Sequence, residues 1–426
     1  MSFWRSVFLQ EHPSIGLAFF RVAAATATGL HVFPSFFHLR ENYLAGAFKT
    51  YNTTFFTPGF LELIAQSPDW LVIFLTGVLI FSWFLFLIGL FTQASGAVML
   101  ASLIYFYALN NFYIGSSLAW DLLLVTLYLL CLTPYPGDYF SVDAVRREDP
   151  VAYKVHRPFF IQRLLQIQIA TTFFFTAVYK IYPAGNWLSD NPLYYLMLYP
   201  HEGTTKYFLL REFFAAHPQL CYGLGIFILG MEFLLPILLF LPRTRISAIY
   251  LGFLFHVILI LTLDVPAIFF FLFPSQLLLF IDPPAVVSWI EQKRLYNRSA
   301  SRSQIVYDGH CGFCRHSLAQ LKTMDLFDAF EPVDFQGLAD LTLIHPRLTK
   351  KAVASQLHLV EPDGKLFGGF EAFRRMCFSL PMCYPLIPVL YVPGMGVLGP
   401  LIYQWVAQNR YFFHSNAVCG NNACFR

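Results

Sequence analysis

The chain has 426 residues, of which 57% are hydrophobic and only 12% charged, and its formal net charge is +3. Soluble domains carry about 25% charged residues, so this balance excludes an ordinary soluble enzyme and points to a polytopic membrane protein. The small net charge, with no long basic run, gives no ground for a nucleic-acid partner, and the 48 phenylalanines suit lipid-facing and helix-packing surfaces.

Crossing the hydrocarbon core takes about 20 apolar residues. Runs of that order lie near 14–37, 69–92, 95–112, 115–134, 159–182, 221–241, 245–263 and 266–282, which predicts about eight spans in a cell (inner) membrane. The first run lacks a small-residue cleavage site and reads as an anchor. With the N-terminus inside, the cytoplasmic segments hold Arg5, Arg146, Arg147, Lys154, Arg157, Arg243, Arg245, Lys293, Arg294, Arg298 and Arg302. The opposite side holds Arg40, Lys49, Lys206 and Arg211. That bias places the N-terminus and, after an even number of spans, the C-terminal region in the cytoplasm.

Ionisable residues inside spans are costly and mark either function or pairing. Here they are Arg21, His31, Asp121, Arg163, Lys180, Glu232 and His256. Lys180 falls at the outer end of the fifth span, His31 and His256 in outer halves, and Asp264 at the outer end of the seventh, so one outward-facing polar site is expected. Gln168, Thr172, Thr176 and Lys180 recur every four residues, a polar stripe that should face the bundle. Quieter readings stand beside these. Arg163 and Lys180 can snorkel, Glu232 can pair with Arg21 or another cation, and a lone His31 is more often a satisfied core residue.

Composition breaks at Asp282-Pro-Pro284. Residues 1–290 form the membrane domain, 291–303 a basic connector, 304–415 a compact domain, and 416–426 a cysteine-containing tail. The compact domain alternates strand 304–307, helix 312–324, strand 330–335, helix 347–355, strand 356–361, strand 365–367 and helix 370–379, the βαβ-then-hairpin order of a small α/β thioredoxin-like fold. The apolar stretch 386–406 is broken by prolines and glycines and reads as a capping or membrane-docked helix rather than a ninth span.

Asp308-Gly-His-Cys311-Gly-Phe-Cys314 sits at the predicted strand-to-helix turn. A thiol at a helix N-terminus feels the positive end of the dipole, which favours thiolate and disulfide exchange. The alternative is zinc held by His310, Cys311, Cys314 and His316, perhaps with Cys419 and Cys424; the strand-turn-helix setting favours the dithiol, and no metal is expected. Cys419 and Cys424 are equally relay thiols or a local structural pair, and Cys377 and Cys383 read as buried small hydrophobes.

With Glu331-Pro-Val-Asp-Phe335, Gly368-Gly-Phe-Glu-Ala-Phe373, Leu380-Pro381 and Ile402-Tyr-Gln-Trp-Val-Ala-Gln-Asn-Arg410, this motif closely resembles the DCC family of thiol–disulfide oxidoreductases, named for D-x-x-C-x-x-C. The resemblance implies that Cys311 attacks and Cys314 resolves, with Asp308 as the third motif residue and a thiol or disulfide protein as partner. Residues 14–284 resemble the HTTM domain shared with vitamin K-dependent γ-glutamyl carboxylases, on Thr176-Ala-Val-Tyr-Lys180, Trp187, Gly230-Met-Glu-Phe-Leu-Leu-Pro236, Arg243-Thr-Arg245, and Phe255-His256 with Phe271-Leu-Phe-Pro274. That likeness implies Lys180 as the base acting on reduced vitamin K or another quinone, a lipid-side small molecule. One departure is visible: Asn110-Asn111 is followed by Phe112, where the carboxylases have a histidine that stabilises the glutamyl carbanion. Three functions follow: a membrane-bound thiol–disulfide oxidoreductase coupled to quinone chemistry, a carboxylase-like enzyme with an accessory redox domain, or a non-catalytic membrane scaffold or immunity-type protein.

Overall fold

The computed structural model describes residues 4–47, 49, 51, 56–110, 117–182, 186–199, 208–263 and 268–410. Asn111, Phe112, Lys206, Asp264, Cys419 and Cys424 lie outside the described residues. The chain divides into two units, one of residues 1–138 and 155–283, the other of 139–154 and 284–426.

The first unit is a helical bundle built from α1 (Ile15–Val32), α2 (Asp69–Ile88), α3 (Thr92–Leu109), α4 (Ser117–Cys131), α5 (Phe160–Ile181), α6 (Pro218–Phe240), α7 (Arg245–Thr262) and α8 (Ile268–Leu277). Helices are the open-chain solution to crossing lipid, because each backbone N–H and C=O is satisfied within its own segment. Six helices among the described residues are long and apolar enough to cross a membrane, or up to eight when each bent helix pair counts as one span. The chain is therefore a multi-pass membrane protein.

Two expected spans border residues outside the described set. The run near 115–134 is described as α4 from Ser117, and the run near 266–282 as α8 from Ile268, which contains Pro274 and passes into a 3-10 turn at Leu278–Phe280.

The core of this unit gathers Phe20, Ala24 and Ala25 of α1 with Leu79, Phe86, Leu103, Phe106, Leu165, Leu235 and Leu277. Small residues on α1 let neighbouring helices approach closely, and Trp83 donates its indole N–H to the Ala25 carbonyl at 2.7 Å. Arg21 is fully buried and donates to the Pro136 carbonyl at 3.2 Å. Two short strands, β1 (Glu11–Pro13) and β2 (His156–Pro158), pair antiparallel. Beside them, Asp138 takes a bidentate Arg157 contact, both bonds 2.9 Å, and a 2.8 Å bond from Ser14.

The second unit is a small α/β domain. Helix α9 (Pro283–Ser299) leads into β3 (Ser303–Tyr307), α10 (Gly312–Met324), β4 (Phe330–Asp334), α11 (Lys350–Ser355), β5 (His358–Val360), β6 (Leu366–Gly368) and α12 (Gly369–Met376), and the chain closes on α13 (Met395–Gln408). The sheet order is β4-β3-β5-β6, with β3 and β4 parallel and the β5 and β6 pairings antiparallel. A βαβ crossover between parallel strands followed by an antiparallel hairpin is the expected thioredoxin-like order. Ile305, Leu318, Leu321, Phe330, Leu359 and Phe370 form its main core.

Residues 139–154, which join α4 to α5, pack within this unit. Tyr139 is buried and donates to the Thr323 carbonyl at 3.0 Å, and Glu148 pairs with His316 of α10. Glu291 of α9 accepts from Tyr153 and forms an ion pair with Lys154 at 2.8 Å, while Arg294 lies 5.2 Å from the Tyr153 ring centroid.

Candidate functional site: the Cys311–Cys314 turn

The turn is fixed by the ends of two parallel strands. Tyr307 and Asp334 are register partners, so the residues just beyond them meet. Asp334 Oδ1 accepts from the Gly309 N–H at 2.9 Å and from the Gln336 N–H at 3.0 Å. Asp308 Oδ1 accepts from the His310 N–H at 3.1 Å and from the Gln336 side-chain amide at 2.9 Å. Glycine is required at 309, where a Cβ would stand 2.0 Å from Asp334 Oδ2.

This lattice delivers Cys311 to the N-cap of α10, with its Sγ accepting the Cys314 N–H at 3.2 Å. The Cys311 thiol is held well below the ordinary thiol range, at about 6, chiefly by the hydrogen bond that the Cys314 thiol donates to it. The Cys314 backbone N–H and the positive charge of Arg410 push the same way, while burial and the Asp308 charge oppose. Cys314, which donates that hydrogen and is itself buried, is driven strongly up. One sulfur is thus set as thiolate and the other keeps its proton.

Acidity and access fall on different sulfurs. Cys311 is only 1% exposed, whereas Cys314 is half-buried. A substrate must displace local packing to reach the more acidic sulfur. Asp308 has its hydrogen bonds in the turn, so here it positions the backbone rather than contacting either sulfur.

Arg410 was not singled out from sequence as a site residue. It donates to the Ala354 carbonyl at 2.8 Å, and its charge reaches both cysteines. Tyr403 of α13 also lies within electrostatic reach of Cys314, and its hydroxyl accepts the Leu357 N–H at 3.2 Å. One signal was available: Arg410 is the first charged residue after Arg375.

The zinc ligand set is not assembled. His316 turns to Glu148 and to the Gln320 amide, 3.0 Å away, and among the described residues no trio of His, Cys, Asp or Glu is grouped to hold a metal. Cys377 and Cys383 are buried as expected, but they also hydrogen-bond one another, and Cys377 donates to the Phe373 carbonyl at 3.4 Å.

In the membrane unit, Lys180 and Glu232 come together as an ion pair with side chains 19% and 3% exposed. Lys180 Nζ also stands 5.1 Å from the Trp187 ring centroid, and Glu232 Oε2 is buried with no hydrogen-bond partner among the described residues. The partner of Glu232 is thus Lys180 rather than Arg21.

His256 is not part of this pair. Its Nδ1 bonds the Gly252 carbonyl at 2.8 Å and its ring sits among Phe173, Phe255 and Phe273. His31 lies half-buried at the end of α1. In the polar stripe, Gln168 bonds across the bundle to Thr126, Leu122 and Gln276, whereas Thr172 and Thr176 bond carbonyls of their own helix. Asn110 is locked to the Asn42 carbonyl at 2.7 Å. Arg163 bonds Gln166 at 2.7 Å and lies over the rings of Phe159 and Phe240. A surface recess of about 420 Å³ is lined by Ser189, Asp190, Asn191, Tyr195, Gln219 and Tyr222, not by Lys180.

A family model of the HTTM domain matches residues 10–284, well over half of the chain. The chain belongs to the HTTM family. A second model, DCC1-like thiol-disulfide oxidoreductase, matches residues 305–415, so this HTTM protein carries a fused thiol–disulfide oxidoreductase-type domain. No curated protein and no solved structure matches it.

Proposed function

We propose that this HTTM protein is a membrane-bound thiol–disulfide oxidoreductase whose working groups are Cys311 and Cys314. The observation that carries it is the polarised pair at the N-terminus of α10, one thiol acidified to about 6 and its neighbour kept protonated. In exchange, the Cys311 thiolate attacks one sulfur of a substrate disulfide, forming a mixed disulfide and expelling the other sulfur as thiolate. Cys314 then loses its proton and attacks the Cys311 sulfur, releasing the second substrate thiol. The balance is one protein dithiol oxidised to a disulfide and one substrate disulfide reduced to two thiols. Insulin-disulfide reduction by the full chain in nanodiscs tests this. Turnover lost in Cys311→Ser is expected, and turnover unchanged in that variant would overturn it.

Lys180, Glu232 and Trp187 are the residues we assign to a quinone-class partner in the membrane unit. The buried, unpartnered Oε2 of Glu232 and the ammonium of Lys180 offer an acceptor and a donor in apolar surroundings, which fits a hydroxyl or carbonyl of such a ring. A bound quinone would supply two-electron redox chemistry there; Lys180 and Glu232 would hold it and shift a proton between Nζ and Oε2. Carboxylase-like chemistry at the same pair is the second reading, and it is favoured by the position of Lys180 alone. Incorporation of labelled CO2 into glutamyl peptides, lost in Lys180→Ala, would support it, and no incorporation with reduced vitamin K present would exclude it.

The charge bias supports a cytoplasmic dithiol. Residues 139–154 carry Arg146, Arg147 and Lys154 and link two membrane helices, and by the positive-inside bias such a loop belongs in the cytoplasm. Lys180 lies twenty residues along α5 from Phe160, about 30 Å at 1.5 Å per residue, so the two ends of that helix are about a hydrocarbon core apart.

A further inference from the structure

We propose that the helical hairpin of residues 381–408 docks the C-terminal unit onto the lipid bilayer, with α13 lying in the membrane interface. No charged residue occurs between Arg375 and Arg410, an unusual length for a domain that should face water. Within it, helical turns over Pro381–Leu390 bend by 119° into α13. The reversal ends at Gly394, whose φ of +97° suits glycine.

One face of α13 is used by the domain itself. Gly399 lies under the Phe370 ring, where a Cβ would stand 2.2 Å from Cζ, and Tyr403 reaches Leu357. The opposite face should then be polar, as on a surface helix of a soluble protein. Instead it presents Val397 at 72%, Leu401 at 59% and Trp405 at 59% exposure, with Leu398 and Ile402 beside them. Contiguous apolar surface of this kind marks a binding face.

The bilayer is the occupant because the same chain carries at least six candidate spans, which tether this domain to a membrane. At 14 residues α13 is about 21 Å long, too short for a core of about 30 Å, so it lies along the interface rather than crossing it. Trp405 sits next to Gln404 and Gln408, the mixture of ring and amide that suits headgroup depth. Because Tyr403 and Arg410 belong to the same stretch, docking would hold the dithiol close to the lipid surface, within reach of a lipid-dissolved oxidant of the quinone class. That last consequence rests on the dithiol reading; the docking does not.

The test uses the full chain in phosphatidylcholine nanodiscs with photoreactive benzoylphenylalanine placed singly at Leu398, Leu401 or Trp405. Phe81 of α2, 65% exposed, serves as the lipid-facing reference, and exposed Lys351 of α11 as the aqueous reference. Lipid adducts at the three α13 positions, comparable to Phe81 and absent at Lys351, are expected. Adducts to a second copy, adducts to the same chain, or no lipid adduct at any of the three would each overturn the proposal. Adduct formation does not depend on redox turnover, so its failure is distinct from failure of the dithiol function. Three separate positions keep one misfolded variant from deciding the outcome.

Discussion

The two thiol pairs of the C-terminal unit share a chemistry and differ in what surrounds them. Cys311 and Cys314 sit at the start of a 13-residue helix, under the charge of Arg410 and on a turn laced by Asp308 and Asp334. Cys377 and Cys383 follow the end of α12 and lie in the main hydrophobic core with Leu380 and Leu390. Helix starts stabilise anions and helix ends do not, so geometry rather than residue type separates a reactive pair from a packing pair. The Lys180–Glu232 pair of the membrane unit makes the same point with opposite charges: there, pairing makes burial tolerable instead of preparing a nucleophile.

The sharpest break in this contrast is removal of each nucleophile. Cys311→Ser should lower disulfide-exchange turnover by at least about a thousandfold, while Cys377→Ser changes it by no more than about twofold. Parallel insulin-reduction assays on the full chain measure both. A comparable loss in the two variants would erase the distinction between the pairs.

The buried ion pair should show the next largest effect. Lys180→Met leaves Glu232 buried and alone, and should cost about 3–5 kcal/mol of stability, whereas Lys180→Met with Glu232→Leu should recover most of it. Thermal or denaturant unfolding in one fixed nanodisc composition reads the two variants side by side. Next, Gly309→Ala forces a Cβ onto Asp334 and should cost about 1–3 kcal/mol while disturbing the turn, visible as a lower midpoint and slower alkylation of Cys311.

The pH dependence reads the acidified thiol of the CxxC turn directly. Alkylation of Cys311 should rise through pH 6 and then level off, because its thiol titrates at about 6. The folded value lies below the ordinary thiol value of about 9, so the thiolate stabilises the reduced fold fully above about pH 9, and that contribution is lost as pH falls through 6. The melting difference between the reduced chain and Cys311→Ser should therefore grow across that window. The smallest expected change is in Arg410→Gln, which removes one favourable charge and should raise the alkylation midpoint by less than about one pH unit. A downward shift would show that Arg410 does not favour the thiolate.

Local chemistry was the legible part of this molecule. Strand 304–307 and helix 312–324 are visible as a short β-like run and a helix-like run, and the structure has them at Ser303–Tyr307 and Gly312–Met324. The CxxC turn is read from seven consecutive residues, and helix-end electrostatics needs nothing from farther away. Arg410 escaped because it reaches the turn from the far end of the domain, and its one mark in the sequence, closing an uncharged stretch after Arg375, does not say what the charge faces. Glu232 was visible as a costly intramembrane acid, but its partner lies 52 residues earlier, on a different helix. Likewise, polarity marks residues 139–154 as a loop without saying that Tyr139 and Glu148 are claimed by α10.

The decisive measurement is the trapped intermediate. In the full chain carrying Cys314→Ser, the resolving step is absent, so incubation with a disulfide peptide should accumulate a mixed disulfide, and peptide mapping by mass spectrometry should place it on Cys311. An adduct found instead on Cys383 or Cys377, or no adduct while the wild-type chain turns over, would contradict Cys311 as the attacking thiol and with it the dithiol function.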